Sequence, residues 1–342
     1  MKARSLAAVA VVAAAAAAPL GAQGTVSSQC AAQLTQVQDA CQKSTDLFNF
    51  VAPQLGTSIA GGNAVLGQGG TLGGLGHFSV GLRANAIQGT LPTFNGVSVG
   101  TSGAASSDLG AKTQVLGAPA VDAAIGVFKG LPLGITNVGG VDLLGTASYI
   151  PEYSNQDVSV KTPEGSFKLG YGARLGLLQE TLLVPGVSVT YLRRDLPTMN
   201  VQGMINGADA QHRDTIGVSG MSLKTSAWRV VASKKLLVFG LALGAGQDKY
   251  DSKVNLNMDV AVPVPASAPV VYARARGQAA SFDQSVTRTN YFADLSFNML
   301  LFRAVAEIGR VSGGDIQTYN TFGDSKATDA RTYGSLGVKF GF

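Results

Sequence analysis

From residue 77 onward, apolar and polar residues alternate along short stretches of the chain. In the clearest stretch, 167–177, every second residue is apolar, and the residues between them are glycines, one lysine and one arginine. A side-chain period of two predicts β-strands with one apolar and one polar face. Because the polar face carries small residues and cations, we expect the large residues to face lipid and the polar set to face a barrel interior.

The alternation predicts ten strands. They are residues 77–86, 121–127, 141–149, 167–177, 186–194, 222–234, 237–249, 285–298, 302–312 and 331–342. Connections after the even-numbered strands are short, and those after the odd-numbered strands are long and polar, which is the pattern of periplasmic turns and extracellular loops. The pairs 97–99 with 114–116, and 254–264 with 270–276, either extend strands above the membrane or add hairpins. The predicted fold is therefore an all-β transmembrane antiparallel up-and-down β-barrel of 10 to 14 strands.

The first residues predict export. Lys2 and Arg4 precede an apolar run over 6–18 that is too short to span a bilayer, which needs about 20 residues. This is the pattern of a secretory signal peptide, with cleavage expected after Ala22 and, as the alternative, after Gly24. The predicted division is a signal peptide (1–22), an N-terminal periplasmic or plug segment with helical and loop structure (23–76), and the barrel (77–342). The predicted location is the bacterial outer membrane.

Composition supports a barrel. Only 14% of the residues are charged and 44 are glycine, whereas soluble domains carry about 25% charged residues. A secreted β-sandwich or solenoid is the alternative. The net charge of +5 falls to +3 once Lys2 and Arg4 leave with the signal peptide, which is too weak a balance to indicate a nucleic-acid partner.

Two cysteines, Cys30 and Cys41, lie in the N-terminal segment. On one continuous helix over 27–50 they would be about 16 Å apart along the axis, which is too far for a disulfide. Either the segment is one helix with unpaired thiols, or it folds back and the thiols pair, which export favours. Two cysteines alone do not supply the four ligands of a structural zinc site, and we expect no metal.

The last stretch ends in Leu336, Val338, Phe340 and Phe342. Alternate apolar residues before a terminal phenylalanine resemble the signal that bacterial barrel-assembly machinery recognises. That machinery, through Phe342, and outer-membrane lipid are therefore predicted partners. Tyrosines near predicted strand ends either form interfacial girdles or are ordinary strand residues; they are Tyr149, Tyr153, Tyr191, Tyr250 and Tyr291.

The stretch AGGNAVLGQGGTLGGLGHFSVGLRANA, residues 60–86, resembles the plug and first strand of the FadL-type family of outer-membrane channels for long-chain fatty acids and other hydrophobic compounds. Family members carry an Asn-Pro-Ala motif in the plug, and here Asn63-Ala64 lacks the proline. The family barrel has fourteen strands. The resemblance implies passive uptake of a hydrophobic small-molecule ligand, without a cofactor.

A barrel interior that binds such a ligand would use its inward-facing polar residues. The predicted lumen residues are His77, Arg83, Asn85, Lys168, Arg174 and Glu307. Their cations are able to hold a carboxylate head group. The alternative is that these charges pair with one another and stiffen the lumen.

Three other functions compete with transport: a barrel enzyme, a general diffusion porin, which usually has sixteen or more strands, and a structural or adhesion barrel. A barrel enzyme would need a histidine-based site, and His212 is flanked by Asp209 and Asp214 in a predicted extracellular loop. Such arrangements are common in loops, so we predict no catalytic residues and no enzyme activity. A structural or adhesion barrel without transport is the other alternative, and it has no use for a plug inside its lumen.

Overall fold

The computed structural model describes residues 24–341 apart from positions 63, 64, 66, 94–96, 155–157, 206–211, 266, 268, 278 and 279. The predicted signal peptide, the Asn63-Ala64 pair, Asp209 and the terminal Phe342 therefore lie outside the described residues.

The described residues include two helices and sixteen strands, joined by turns and loops. The helices are α1 (Ser28–Ala31) and α2 (Thr35–Ala60). The strands are β1 (Phe78–Pro92), β2 (Ala111–Phe128), β3 (Leu131–Leu133), β4 (Thr136–Val138), β5 (Gly140–Tyr149), β6 (Tyr153–Ser154), β7 (Val158–Lys161), β8 (Phe167–Leu178), β9 (Gly186–Asp195), β10 (Met199–Ile205), β11 (Asp214–Leu236), β12 (Phe239–Pro263), β13 (Tyr272–Arg276), β14 (Ala280–Met299), β15 (Phe302–Ser312) and β16 (Arg331–Gly341).

Ten of the described strands close into an antiparallel barrel. Strands β1, β2, β5, β8, β9, β11, β12, β14, β15 and β16 pair in chain order, and β16 returns to pair with β1. These are the ten strands that the alternation predicted, so the predicted fold class is confirmed. The barrel has four strands fewer than the FadL-type family resemblance implies.

The outer surface carries an apolar belt between two sets of aromatic residues. Belt residues such as Leu82, Leu169 and Leu295 are 59–77% exposed. Aromatic side chains border the belt on the side of the long loops: Tyr149, Phe167, Tyr191, Trp228 and Tyr291. A second set borders it on the side of the short turns: Phe78, Phe128, Phe239, Phe297 and Phe302. An apolar band between aromatic girdles is the signature of a barrel that crosses a bilayer.

The polarity of the wall inverts along β12. In its first half the outward residues Leu241 and Leu243 are exposed to the lipid side. In its second half the outward residues are polar, including Asn255 and Asn257, and the inward residues include Leu256 and Met258, which are buried. The second half therefore stands in water outside the membrane and encloses an apolar interior.

Strands β6, β7, β10 and β13 add to the part of the sheet that projects beyond the membrane. The segments 254–264 and 270–276 form the β12–β13 hairpin, which extends the wall upward and adds no barrel strand. Residues 114–116 belong to β2 and pair with Ile87, Gln88 and Gly89, whereas 97–99 form no strand. Strands β11 and β12 are much longer than predicted, because their residues continue to pair beyond the belt.

Helix α2 occupies the lumen. Its 26 residues correspond to a length of about 39 Å. Gly24 donates to the carbonyl of Thr318 in the loop before β16, and α2 then descends until residues 67–77 reach the short-turn end, where β1 begins. The described residues of the segment 24–76 therefore run through the lumen, and their N-terminal end lies on the side of the long loops. No helix among the described residues is both long and apolar enough to cross a bilayer.

Candidate functional site

The N-terminal hairpin of the plug, residues 24–77, is closed by a disulfide. Helix α1 ends at Ala31, the chain turns, and α2 starts at Thr35, which brings the Cα atoms of Cys30 and Cys41 to 5.4 Å. This is the folded-back alternative for the segment. Both cysteines belong to the plug, so the bond stiffens the plug without tying it to the wall.

The hairpin packs into the apolar extracellular half of the barrel. Val37, Cys41 and Phe48 from the plug belong to one buried cluster with wall residues. The wall contributes Leu196, Met199, Met221, Leu223, Tyr250, Val254, Leu256, Met258, Val260 and Phe282. We call this inner surface the apolar vestibule. Tyr250 is buried against Gly56 of the plug, so of the two alternatives for this tyrosine it is a strand residue and does not belong to an interfacial girdle.

Two aspartates of α2 fasten the extracellular loops over the vestibule. Asp39 accepts hydrogen bonds from the backbone N–H groups of Gly100 and Ala105 and forms an ion pair with Lys43. Asp46 accepts from the backbone and side chain of Asn320. Burial raises the pKa of Asp46 above its usual value, and its hydrogen bonds offset part of that rise. The loops and the plug thus form one hydrogen-bonded unit.

Three arginines from the wall bind the C-terminal end of α2. Arg194 Nη1 donates to the carbonyls of Ile59 and Ala60, both at 3.0 Å. Arg229 Nη2 donates to Ala60 and forms an ion pair with Asp248, and Arg83 Nη1 donates to the carbonyl of Gly61 at 2.8 Å. The last carbonyls of a helix lack partners within the helix and carry partial negative charge. We call Arg83, Arg194 and Arg229 the arginine clamp.

Asn85 completes the clamp on β1. Its Nδ2 donates to the carbonyls of Ser58 and Gly61, and its Oδ1 accepts from Ser335. Arg83 is also paired with Asp122 at 2.6 Å. Two of the predicted lumen residues, Arg83 and Asn85, therefore contact the plug.

The lower part of the plug hydrogen bonds the wall through its backbone. Gly67 N–H donates to Asp294, Gly69 N–H donates to Ser233, and Leu72 N–H donates to Asp142. Arg174 forms an ion pair with the same Asp142 at 2.6 Å and also donates to the carbonyl of Gln68. A Cβ at position 69 would lie 2.5 Å from the carbonyl oxygen of Gly186, so glycine is required for this close approach.

The other predicted lumen residues are spread along the barrel. Glu307 lies opposite Asp294 in the β14–β15 register. Lys168 lies near the extracellular end of β8, opposite Ser148. His77 is exposed at the short-turn rim, where Nδ1 lies 3.3 Å from the carbonyl oxygen of Gly74. The six residues therefore do not form one cluster.

Arg194 and Arg229 are not among the predicted lumen residues, although both contact the end of α2. Both residues lie at inward positions of predicted strands. Arg194, for example, comes two residues after Leu192 and therefore lies on the same, inward face of β9. Alternation alone therefore indicates that they face the lumen. Their meeting with the end of α2 depends on contacts more than 130 residues apart in sequence, which no local pattern encodes.

No protein-family model matches the chain, and no curated protein matches it. Among solved structures, it is similar to the transport unit of the autotransporter AIDA-I from Escherichia coli, with 7% identity over 89% of this chain and 99% of that chain and a TM-score of 0.33. It is similar to Ail of Yersinia pestis, with 15% identity over 78% and 99% of the chains and a TM-score of 0.18. It is also similar to the outer-membrane channel DcaP of Acinetobacter baumannii, with 10% identity over 78% and 96% and a TM-score of 0.19.

Likenesses at such low identity and TM-score carry no information about activity. The closed ring of strands, the apolar belt, the aromatic girdles and the polar lumen together define an outer-membrane β-barrel protein. Its distinguishing feature is a disulfide-closed helical plug that fills the lumen.

Proposed function

We propose that this protein is a channel for passive uptake of hydrophobic small molecules, such as long-chain fatty acids, and that residues 24–77 are its displaceable plug. The observation that carries the proposal is the apolar vestibule. An apolar inner wall in a barrel segment that stands in water is unfavourable unless an apolar partner covers it. Here the plug hairpin covers it.

The residues of the vestibule suit ligands of varied shape. Met199, Met221 and Met258 all face inward and are buried in the same cluster. Methionine side chains are flexible and polarisable, and they are favoured where one surface must accept different partners. With the hairpin displaced, this surface would offer an apolar site to a ligand arriving from outside.

Below the vestibule the lumen becomes cationic. The arginine clamp lies there, and Arg194 forms no ion pair within the described residues. Its contacts with helix carbonyls are charge-assisted hydrogen bonds, and a carboxylate is able to replace those carbonyls. An apolar entrance above a cationic zone fits an amphiphile with an anionic head, which is the ligand class that the FadL-type resemblance implies.

The attachment of the plug permits movement. Its contacts with the wall are hydrogen bonds, ion pairs and apolar packing, and its one disulfide is internal. Displacement of the plug would therefore break no covalent bond to the wall. On β9, the buried hydroxyl groups of Ser188 and Thr190 hydrogen bond no group of the described residues.

A tethered plug tests the proposal. A Cβ at Gly89 would lie 3.1 Å from Oε1 of Gln54 in α2, so Gln54→Cys with Gly89→Cys places two thiols close enough for a short bismaleimide. No free cysteine is present in the described part of the chain to compete. We expect cells with the untreated variant to take up labelled oleate and cells with the cross-linked variant to take up much less.

Either single cysteine variant, treated with the same reagent, is the matched control and should retain uptake. Labelled sucrose should not enter in any case, because the ligand is expected to be apolar. An equal rate of oleate uptake with and without the cross-link would show that oleate does not pass through the lumen. Absence of protein-dependent uptake would overturn the proposal and favour a closed structural barrel.

A further inference from the structure

We propose that the periplasmic mouth of the barrel is a binding site for the anionic head group, carboxylate or phosphate, of an amphiphile. This inference rests on the proposed function, since it gives the ligand a site at the end of its route. It concerns a cavity that is separate from the arginine clamp and the vestibule.

The cavity has a volume of about 290 Å³ and lies between the plug and the short-turn ends of the strands. Gln68 and Leu72 of the plug line its upper side. That volume corresponds to on the order of ten water molecules. It therefore admits a head group and the first carbons of a chain, and the remainder of an amphiphile must lie outside it.

Three cations line the cavity: Lys235 at the end of β11, Arg303 on β15 and Lys339 on β16. No carboxylate is among its described lining residues. Arg303 donates to the neutral amides of Asn298 and Gln68. Neither Lys235 nor Arg303 forms an ion pair within the described residues. Glu180 is the carboxylate whose charge acts on both of them, and one carboxylate beside three cations leaves a net positive charge at the cavity.

The carboxylates closest to the mouth are already engaged. Glu180 accepts from the hydroxyl of Ser233 and from the backbone N–H of Lys235. Asp294, deeper in the lumen, accepts from Gly67 N–H and lies opposite Glu307. An incoming anion would thus meet cations first, and its charge-assisted hydrogen bonds would be stronger than neutral ones.

The opposite side of the cavity is apolar and continues onto the rim. Leu301 lines it, and Phe78 and Phe302 of the outer aromatic girdle border it at the rim. Leu300, which also lines it, is fully exposed at the tip of the β14–β15 turn and has a φ of +22°. Leu237 at the tip of the β11–β12 turn is also exposed and also has a positive φ, so apolar side chains stand at more than one tip of this rim. Cations on one side and leucines on the other match a charged head and an alkyl tail.

Binding measurements on purified protein in nanodiscs test this site. The probes are dodecanoate and dodecanol, which share a chain and differ in charge, titrated by calorimetry with protein-free nanodiscs as the blank. In uncharged phosphatidylcholine nanodiscs, the wild-type protein should prefer dodecanoate by roughly tenfold, the value of one charge-assisted hydrogen bond. The double variant Lys235→Gln, Arg303→Gln should lose that preference and still bind dodecanol.

Lys129→Gln is the matched control, since this exposed lysine lies on the same rim and does not line the cavity. A double variant that retains the full preference, with native circular dichroism, would overturn the site. Adding phosphatidylglycerol to the nanodiscs distinguishes two sources of the head group. If it weakens dodecanoate binding to the wild-type protein, the site accepts a membrane lipid; if dodecanoate binding is unchanged, the site is specific for the free amphiphile. Charge-dependent binding without oleate uptake would retain the site and reject the transport function.

Discussion

Arg194 Nη1 on β9 donates a hydrogen bond to the carbonyl oxygen of Ala60, the last residue of α2, at 3.0 Å. The same nitrogen also lies within 3.0 Å of the carbonyl oxygens of Ile59 and Gly62. One buried cation therefore gathers the free carbonyls at the end of the plug helix, where the helix dipole places partial negative charge. This contact joins the helix, the glycine-rich segment after it and the barrel wall.

Replacing Arg194 by glutamine should loosen the plug. Loss of the charge-assisted hydrogen bonds should cost about 2 kcal/mol of plug binding, so the plug should leave the lumen more often. We expect a higher open probability in single-channel recordings and faster entry of small polar solutes. Arg193→Gln is the control, because Arg193 points away from the lumen and pairs with Asp195 at 3.5 Å. Equal conductance of both variants would contradict a clamping role for Arg194.

Removal of the disulfide should destabilise the plug while the barrel persists. The bond between Cys30 and Cys41 closes a loop of 11 residues, and loop-closure entropy for this length is about 3 kcal/mol. In a Cys30→Ser, Cys41→Ser variant, residues 24–60 should become sensitive to external protease. Barrel strands should stay protected, because their hydrogen bonds are to one another. Plug cleavage no faster than in wild type would show that the bond is dispensable for plug stability.

Gly56→Ala should weaken the contact between plug and wall. An added Cβ would lie 2.7 Å from Cγ of the Tyr250 ring, and both residues are buried, so helix or ring must move at a cost of about 1–3 kcal/mol. We expect a lower midpoint in thermal unfolding followed by near-ultraviolet circular dichroism. Gly145→Ala is the matched control, because nothing lies within 4 Å of its added Cβ. An unchanged midpoint in Gly56→Ala would show that this packing is looser than described.

The extracellular loops should separate in acid. Hydrogen bonds from the backbone N–H of Gly323 and then Gly110 lower the pKa of Asp108 below its ordinary value of 3.8. Because the pKa of Asp108 is lower in the folded state than in the unfolded state, these hydrogen bonds stabilise the fold fully above pH 3.8. That stabilisation is lost as the pH falls through the pKa of the folded state. The amide proton shift of Gly323 should therefore titrate with a midpoint below 3.8. The Asp108→Asn variant is the control and should not show this titration. A wild-type midpoint at or above 3.8, or the same titration in wild type and variant, would refute the contact.

The membrane-spanning part of the fold was predictable because its signal is local. Alternation in stretches such as 167–177 fixes which face meets lipid, whatever the neighbouring strands are. The same period continues along β12 beyond the belt, where the inward residues, such as Leu256, become apolar and the outward residues, such as Asn255, become polar. Alternation continues through that boundary without a break, so the period alone does not reveal where the environment changes.

The site was predictable only in part, since it arises from distant contacts. Arg83, Asn85 and Arg174 were recognised as inward-facing, and they contact the plug. Their partners are backbone carbonyls of a segment whose path through the lumen no periodic pattern describes. The fold-back at Ala32 was one of two alternatives, because cysteine spacing excludes a disulfide on a straight helix and does not choose between the two.

The direction of the plug sets an order on biogenesis. The described N-terminal end lies by the extracellular loops, whereas β1 starts at the opposite rim and closes the ring against the last strand, β16. A chain that arrives from the periplasm must place its first residues through the interior before or while that seam closes.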